Sequence, residues 1–138
     1  MTRRLYYFLS AVLLMAGCGN AAPELPAATP VTGKILLANG QPLRSGRVTF
    51  YPEGQVAGIE AFAEIQADGS YTLTTYKLND GAVPGRYVVT VTPYSYKTGN
   101  LKVSDPSLIP QAYWEKDTSK LTAEVKAGEN SLPPLILR

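Results

Sequence analysis

The chain has 138 residues, 13 basic and 11 acidic side chains and no histidine, so its formal charge is +2. Arg3 and Arg4 account for this excess, and the remaining charges balance, which excludes the basic surface that nucleic-acid binding requires. The absence of histidine removes the usual general base of serine and cysteine nucleophiles.

Residues 1–17 have the pattern of a secretory signal peptide. The two arginines precede an apolar run over residues 5–15, which is shorter than the roughly 20 residues that span a bilayer. Small residues then lead to Cys18, the single cysteine of the chain. The motif Met15-Ala16-Gly17-Cys18 resembles the lipobox of bacterial lipoproteins. This resemblance implies cleavage before Cys18 and its acylation with fatty acids such as palmitate; the alternative is an ordinary secretory signal with an incidental cysteine.

The segment that follows the signal, residues 18–30, is rich in alanine and proline and has no apolar period. We expect it to be a flexible tether that begins with a lipidated Cys18. Acyl chains on Cys18 would hold the protein on a membrane. The predicted location is therefore a bacterial membrane, on its periplasmic or outer face, with residues 31–138 forming the folded domain.

Residues 31–138 show alternating apolar side chains, broken by turn signals such as Asn39-Gly40 and Asp68-Gly69. Strands are predicted at residues 31–37, 47–51, 61–66, 70–74, 86–92, 121–126 and 132–137. The side chains that alternation directs inward are Val31, Ile35, Leu37, Val48, Phe50, Ala61, Ala63, Ile65, Tyr71, Leu73, Tyr87, Val89, Val91, Leu121, Ala123 and Val125. This pattern predicts an all-β fold, a seven-stranded antiparallel β-sandwich.

Residues 94–120 show no strand period, and long loops of this kind are often functional. Tyr94, Tyr96, Tyr113 and Trp114 lie in this segment and are the candidate ligand-binding residues. Aromatic faces stack on sugar rings, which favours a glycan as ligand. The alternative is that Tyr113 and Trp114 close one end of the core, because large aromatic side chains bury much apolar area.

Several motifs in order resemble the carboxypeptidase regulatory-like domain. They are Val31-x-Gly33-x-Ile35, Gly46-x-Val48-x-Phe50, Asp68-Gly69-Ser70-Tyr71, Pro84-Gly85-x-Tyr87 and Ile109-Pro110-x-x-Tyr113. The resemblance implies a prealbumin-like (transthyretin-like) sandwich. It also implies an accessory or interaction module, because domains of this family are mostly non-catalytic.

No catalytic residue is predicted, and neither a cofactor nor a metal is expected. The carboxylates that could act as acid and base, Glu53, Glu60, Glu64, Asp68 and Asp80, lie at predicted turns or on solvent-facing strand positions. Asp105 and Asp117 lie in further turns, but the spacing of a calcium loop is missing. The chain is therefore predicted not to be an enzyme.

The predicted function is a lipid-anchored, non-catalytic β-sandwich module with an interaction or structural role at the bacterial cell envelope. Its partners would be the membrane, through Cys18, and an envelope protein or a glycan. The alternative function is a carbohydrate-binding module that uses the aromatic segment 94–114.

Overall fold

The computed structural model describes residues 24–54, 59–97 and 100–138, which contain ten β-strands. In chain order they are β1 (Val31–Leu37), β2 (Arg47–Pro52), β3 (Ala61–Glu64), β4 (Ser70–Thr72), β5 (Gly85–Thr92), β6 (Tyr94–Lys97), β7 (Asn100–Val103), β8 (Leu121–Val125), β9 (Asn130–Ser131) and β10 (Leu135–Leu137). Short 3₁₀ helices follow β7 at Pro106–Leu108 and Gln111–Tyr113. Within these three ranges, no helix is long and apolar enough to cross a membrane.

The first sheet is built around β1, which has neighbours on both sides. β4 pairs antiparallel with one side of β1. Along the other side β9 and β10 both run parallel to it, with Thr32 opposite Ser131 and Ile35 opposite Leu135. Two residues of β1 therefore face three residues, 132–134, on the neighbouring segment. This is a one-residue bulge, and it falls at two prolines, which have no N–H group to donate to the ladder.

The second sheet has the strand order β3-β2-β5-β8, and every pairing in it is antiparallel. Its longest ladder joins β2 to β5, from Arg47 opposite Thr92 to Pro52 opposite Tyr87. β5 has a high β-branched content, which suits a central strand. β6 and β7 form a separate two-stranded hairpin, and β6 lies beside β3.

The hydrophobic core lies between the two four-stranded sheets. Every side chain predicted to face inward is buried or packs directly against the buried cluster. At its centre the Phe50 ring contacts the rings of Tyr71 and Tyr87, with centroid distances of 6.0 and 5.7 Å. The prediction of an all-β sandwich is confirmed, and so is the predicted parity of the six strands for which inward side chains were named.

Four details of the predicted topology are wrong. The two sheets contain eight strands rather than seven, and the pairings of β1 with β9 and β10 are parallel, so the first sheet is mixed. The predicted strand 132–137 is shortened to β10, because Pro133 and Pro134 have no N–H to donate to the ladder, and β9 forms before it, outside the predicted bounds. The segment 94–120, for which no strand was expected, begins with the β6–β7 hairpin.

The strands run between two ends of the sandwich that carry different features. We define the tether end as residues 29–30, 73–84 and 126–129. There Thr29 exchanges two backbone hydrogen bonds with Ala82, at 2.9 and 3.0 Å, and its hydroxyl donates to the Lys126 carbonyl at 3.3 Å. We define the far end as residues 38–46, 66–69 and 104–120. The two ends are separated by the length of the sheet, so the tether and the aromatic segment lie on opposite sides of the core.

Candidate functional site

The aromatic segment covers the far end of the sandwich, and Trp114 is its largest side chain. The indole N–H of Trp114 donates to the carbonyl oxygen of Ile109 at 3.0 Å. Ile109 is fully buried in the core, close to Gly46 and Ile65. Trp114 packs against the same core from outside and is half-buried. Its polar group is thus satisfied by the backbone, and its ring closes the end of the sandwich.

The hydroxyl of Tyr113 is likewise bound to the backbone, at the residue that follows β10. This hydroxyl accepts a hydrogen bond from the backbone N–H of Arg138 at 2.9 Å and donates one to the carbonyl of Arg138 at 3.0 Å. Arg138 directly follows β10, so Tyr113 fastens the aromatic segment to the edge of the first sheet. Tyr113 also packs against the core. This geometry agrees with the alternative in which Tyr113 and Trp114 close one end of the core.

Tyr94 is the candidate residue that remains open to solvent, with 40% of its surface exposed. Its ring meets the edge of the Trp114 ring in a T-shaped arrangement, at a centroid distance of 5.8 Å and an angle of 74°. The structure therefore brings Tyr94 and Trp114 together, although they do not form one flat stacking surface. The side chain of Tyr96 and the whole of Cys18 lie outside the described part of the chain. The ligand-binding role of these residues stays a prediction.

An open depression of about 510 Å³ lies beside Trp114 and is lined by polar side chains that the sequence had not suggested. They are Gln111, Glu115 and Thr118, together with Ala112. The Thr118 hydroxyl donates to the Ala112 carbonyl at 2.9 Å, which holds the turn that carries them. Their spacing from Gln111 is i+3, i+4 and i+7 when Trp114 is included. This is a helical spacing of mainly polar residues, which the search for an apolar period does not detect.

The aspartates at the predicted turns hold local backbone groups. One oxygen of Asp68 accepts from the N–H and the hydroxyl of Ser70, at 3.0 and 2.6 Å. Asp105 does the same with Ser107, at 2.9 and 2.6 Å. These hydrogen bonds, chiefly those from the serine hydroxyls, lower the pKa of both carboxyl groups. Both side chains therefore serve turn geometry in the way that aspartate commonly does.

Asp80 organises the longest loop of the tether end. Its carboxylate accepts from the backbone N–H groups of Thr75, Tyr76 and Lys77, at 2.7, 3.0 and 2.8 Å. Partial burial opposes ionisation of Asp80, but these hydrogen bonds outweigh it, so the pKa of Asp80 lies below its usual value. The loop is thus held by a charged acceptor that stays ionised well into the acid range.

Two glutamates named as candidate acid–base groups lie on or beside the outward face of the second sheet. Glu64 pairs with the guanidinium of Arg47 at 2.9 Å, and that guanidinium lies 4.7 Å from the centre of the Phe62 ring. Burial raises the pKa of Tyr51, and Glu60 raises it further. Within residues 24–54, 59–97 and 100–138, no three histidine, cysteine or acidic side chains come together as a metal site would require.

No family model matches the chain, and no curated protein sequence is detectably similar to it. The resemblance to the carboxypeptidase regulatory-like domain therefore stays a prediction. Among solved structures, a DUF3823 family protein from Parabacteroides merdae is similar over 78% of this chain and 45% of its own length, with 14% identity and a TM-score of 0.43. A 9R-lipoxygenase from Cyanothece is similar over 80% of this chain and 16% of its own length, with 9% identity and a TM-score of 0.43. The chain spans less than half of either protein.

Proposed function

We propose that this protein is a lipid-anchored, non-catalytic β-sandwich module with an interaction or structural role at the bacterial cell envelope. Acylated Cys18 would hold it on the membrane surface, and the far end of the sandwich would meet an envelope partner. The observation that carries this proposal is that the two ends of the sandwich differ. The tether enters at one end, and the aromatic segment lies at the other.

Simple distances support this arrangement. Residues 24–27 are exposed and lie outside regular structure, and Thr29 is held against Ala82 and Lys126. For a flexible chain of this length, Cys18 and Thr29 would be separated by a root-mean-square distance of roughly 20 Å. β5, the longest strand, adds roughly 26 Å between the two ends. The tether end would therefore stay close to the bilayer, while the far end would stand clear of it.

The chemistry of the carboxylates supports a non-catalytic role. A general acid or base works best with a pKa near the operating pH, so catalytic carboxylates usually have a raised pKa. Here the pKa values of Asp68, Asp80 and Asp105 are lowered, because each carboxylate accepts hydrogen bonds within its own turn. Glu64 is paired with Arg47. These groups are used to hold the backbone and the sheet surface.

The anchor is tested by replacing Cys18 in the full chain, expressed in a bacterium. The wild-type protein is expected in the membrane fraction, and mass spectrometry of its N-terminal peptide should show acyl chains on Cys18. Cys18→Ser should abolish acylation and release the protein, whereas Asn20→Ser, which leaves the lipobox intact, should change neither. Persistent membrane fractionation of Cys18→Ser would contradict the anchor.

A glycan is the second candidate partner, favoured by the depression beside Trp114. Polar side chains beside an aromatic ring, here Gln111, Glu115 and Trp114, are a combination that can hydrogen-bond and stack on a sugar. On a glycan array, Tyr94→Ala and Gln111→Ala should each weaken binding, and Lys77→Ala at the tether end should not. These variants avoid Trp114, whose loss would also disturb the core. Failure of the wild-type protein to bind any glycan would contradict this candidate.

A further inference from the structure

One loop of the tether end presents an aliphatic side chain to solvent on a well-held backbone. Leu78 is 84% exposed, although it lies between segments that are fixed by hydrogen bonds. Asp80 holds the first part of the loop through three N–H groups. Asn79 adopts a positive φ of 61°, and its N–H donates to the Thr74 hydroxyl at 2.9 Å. We call residues 75–81 the Leu78 loop. Its backbone is built to keep Leu78 outside the fold.

The tether leaves the sandwich directly beside the Leu78 loop. Gly81, the last residue of the loop, approaches Thr29 so closely that a Cβ would overlap the Thr29 carbonyl. Thr29 itself pairs with Ala82. The loop and the point where the tether enters are thus one rigid unit.

Two more exposed aliphatic side chains flank this region. Leu25, on the tether, is 63% exposed, and Ile59 is 51% exposed. Ile59 precedes β3, whose first residue Ala61 pairs with Phe50 near the end of β2, on the tether-end side of the second sheet. Other exposed aliphatic side chains, Val103, Leu108 and Ile136, lie elsewhere on the surface, so exposure alone does not distinguish this end. What distinguishes Leu25, Ile59 and Leu78 is that their segments adjoin the point where the tether enters, since Phe62 pairs with Thr74 and Thr29 pairs with Ala82.

We propose that the Leu78 loop, with Leu25 and Ile59, is a membrane-contact surface that inserts Leu78 into the bilayer carrying the lipid anchor. This inference rests on the proposed acylation of Cys18. The occupant is a lipid surface because the chain from an acylated Cys18 to Thr29 could reach at most about 40 Å even when fully extended, so this end would stay near the bilayer. Lys77, next to Leu78, can keep its ammonium group at the headgroups while its stem lies along the apolar boundary.

The charges at this end indicate whether the contact with the membrane is electrostatic or hydrophobic. Glu53, Glu60, Asp80 and Glu129 stand against Lys77, Arg86 and Lys126 around this end, so its charges nearly balance. Attraction to anionic lipids therefore does not drive the contact. The tether brings the loop to the surface, and removal of the three aliphatic side chains from water holds it there. Added salt should leave the contact unchanged, because salt screens only charges.

Site-directed spin labelling of the full-length acylated protein tests the proposal. The thiol of acylated Cys18 is consumed, so a nitroxide reacts only with a newly introduced cysteine. Leu78→Cys carries the label at the tether end. Leu108→Cys is the matched control, because Leu108 is 45% exposed and lies at the far end. Both labelled proteins are reconstituted in vesicles of phosphatidylethanolamine and phosphatidylglycerol, and collision rates with oxygen and with a water-soluble nickel complex are measured.

The label at position 78 is expected to collide several-fold less with the nickel complex than the label at position 108, and more with oxygen. The difference should persist at high salt and disappear when the vesicles are dissolved. If position 78 is as open to nickel as position 108 while mass spectrometry shows acylated Cys18 and the protein floats with the vesicles, the membrane contact is overturned and the anchor stands. If the protein is neither acylated nor bound to vesicles, the proposed function itself fails, and the contact fails with it.

Discussion

Replacement of Tyr71 by phenylalanine is expected to raise the free energy of unfolding, although it deletes a polar group. Tyr71 is 1% exposed, and its hydroxyl has no hydrogen-bond partner among the residues that the structure describes. The hydroxyl lies against Gly33, in a place where a Cβ on Gly33 would overlap it. Burial raises the pKa of this hydroxyl, which reports the same lack of solvation. An unpaired buried hydroxyl costs about 1–3 kcal/mol.

The magnitude follows from what the substitution changes. Tyr71→Phe removes the unpaired oxygen, keeps the ring contact with Phe50 at 6.0 Å and leaves only a small space beside Gly33. We therefore expect a gain of about 1 kcal/mol in the free energy of unfolding, at the lower end of the desolvation cost. In a domain of this size, that corresponds to a rise in melting temperature of about 4 °C.

Tyr87→Phe is the matched control, with the opposite expected sign. Tyr87 is also 1% exposed, and its ring also contacts Phe50. Its hydroxyl, however, donates to the carbonyl oxygen of Val83 at 2.5 Å. The substitution leaves that buried carbonyl without its donor, and the free energy of unfolding should fall by about 1 kcal/mol.

Urea unfolding of both variants, followed by the fluorescence of Trp114, measures the two free energies under one set of conditions. Calorimetry then provides the melting temperatures independently. If Tyr71→Phe destabilises the protein as much as Tyr87→Phe does, the Tyr71 hydroxyl has a partner such as a bound water, and the reasoning is refuted.

Further predictions concern the loops, the core and metals. Asp80→Ala should lower the free energy of unfolding by about 2 kcal/mol near neutral pH, because three N–H groups lose their charged acceptor. The pKa of Asp80 is lowered in the folded state, so its contribution is complete above the unfolded value of about 3.9 and is lost as pH falls through the folded value. Urea titrations should therefore show the difference from wild type shrinking in strong acid, and a difference independent of pH would contradict the role of the charge. Val89→Asp, in the core, should abolish the cooperative thermal transition seen by circular dichroism. Its control, Thr122→Asp on the outward face of β8, should change the free energy of unfolding by less than about 0.5 kcal/mol. A near-normal thermal transition of Val89→Asp would contradict the assignment of Val89 to the core. Trp114→Phe should lower the free energy of unfolding by about 1 kcal/mol through the lost hydrogen bond to Ile109, and an unchanged urea midpoint would show that this bond adds nothing. EDTA should leave the melting temperature unchanged, and a fall of several degrees would reveal a bound metal.

Alternation of apolar side chains predicted most of the sandwich, because a strand with one buried face tolerates no change of parity. Val48 and Phe50 in β2, and Val89 and Val91 in β5, are completely buried as alternation requires. A shift by one residue would expose each whole set. The physical cost of such a shift makes parity the most reliable feature that a sequence of this kind contains.

The parallel pairing of β1 was not accessible to the same reasoning. Alternation assigns side chains to faces but says nothing about which strands are neighbours or in which direction they run. The pairing of Ile35 with Leu135 joins residues far apart in the chain, and no local turn signals it. Pro133 and Pro134 carried a usable signal, since prolines occur at bulges and strand edges, and they do mark the interruption between β9 and β10.

The candidate site was predicted in part. Composition directed attention to Tyr94 and Trp114, which the structure places in contact. The hydrogen bond from Trp114 to Ile109 could not be foreseen, because it depends on how the segment folds back on the core. Gln111 could not be predicted as a lining residue because both periods, helical and strand, are read from apolar side chains, whereas the lining of the depression is mainly polar.

The parallel pairing of β1 also determines when the domain can become complete during synthesis. β1 is the first strand of the sandwich, yet residues 130–137 provide the neighbours along one whole side of it. Until those residues have been made, β1 can pair only along its other side, with β4 and with the segment around Pro42. Contacts between such distant segments form slowly, because a long loop must close before they contribute. A nascent chain shorter than this therefore carries an open first sheet in which one hydrogen-bonding edge of β1 is unpaired, and that sheet becomes complete only after residue 137 has emerged.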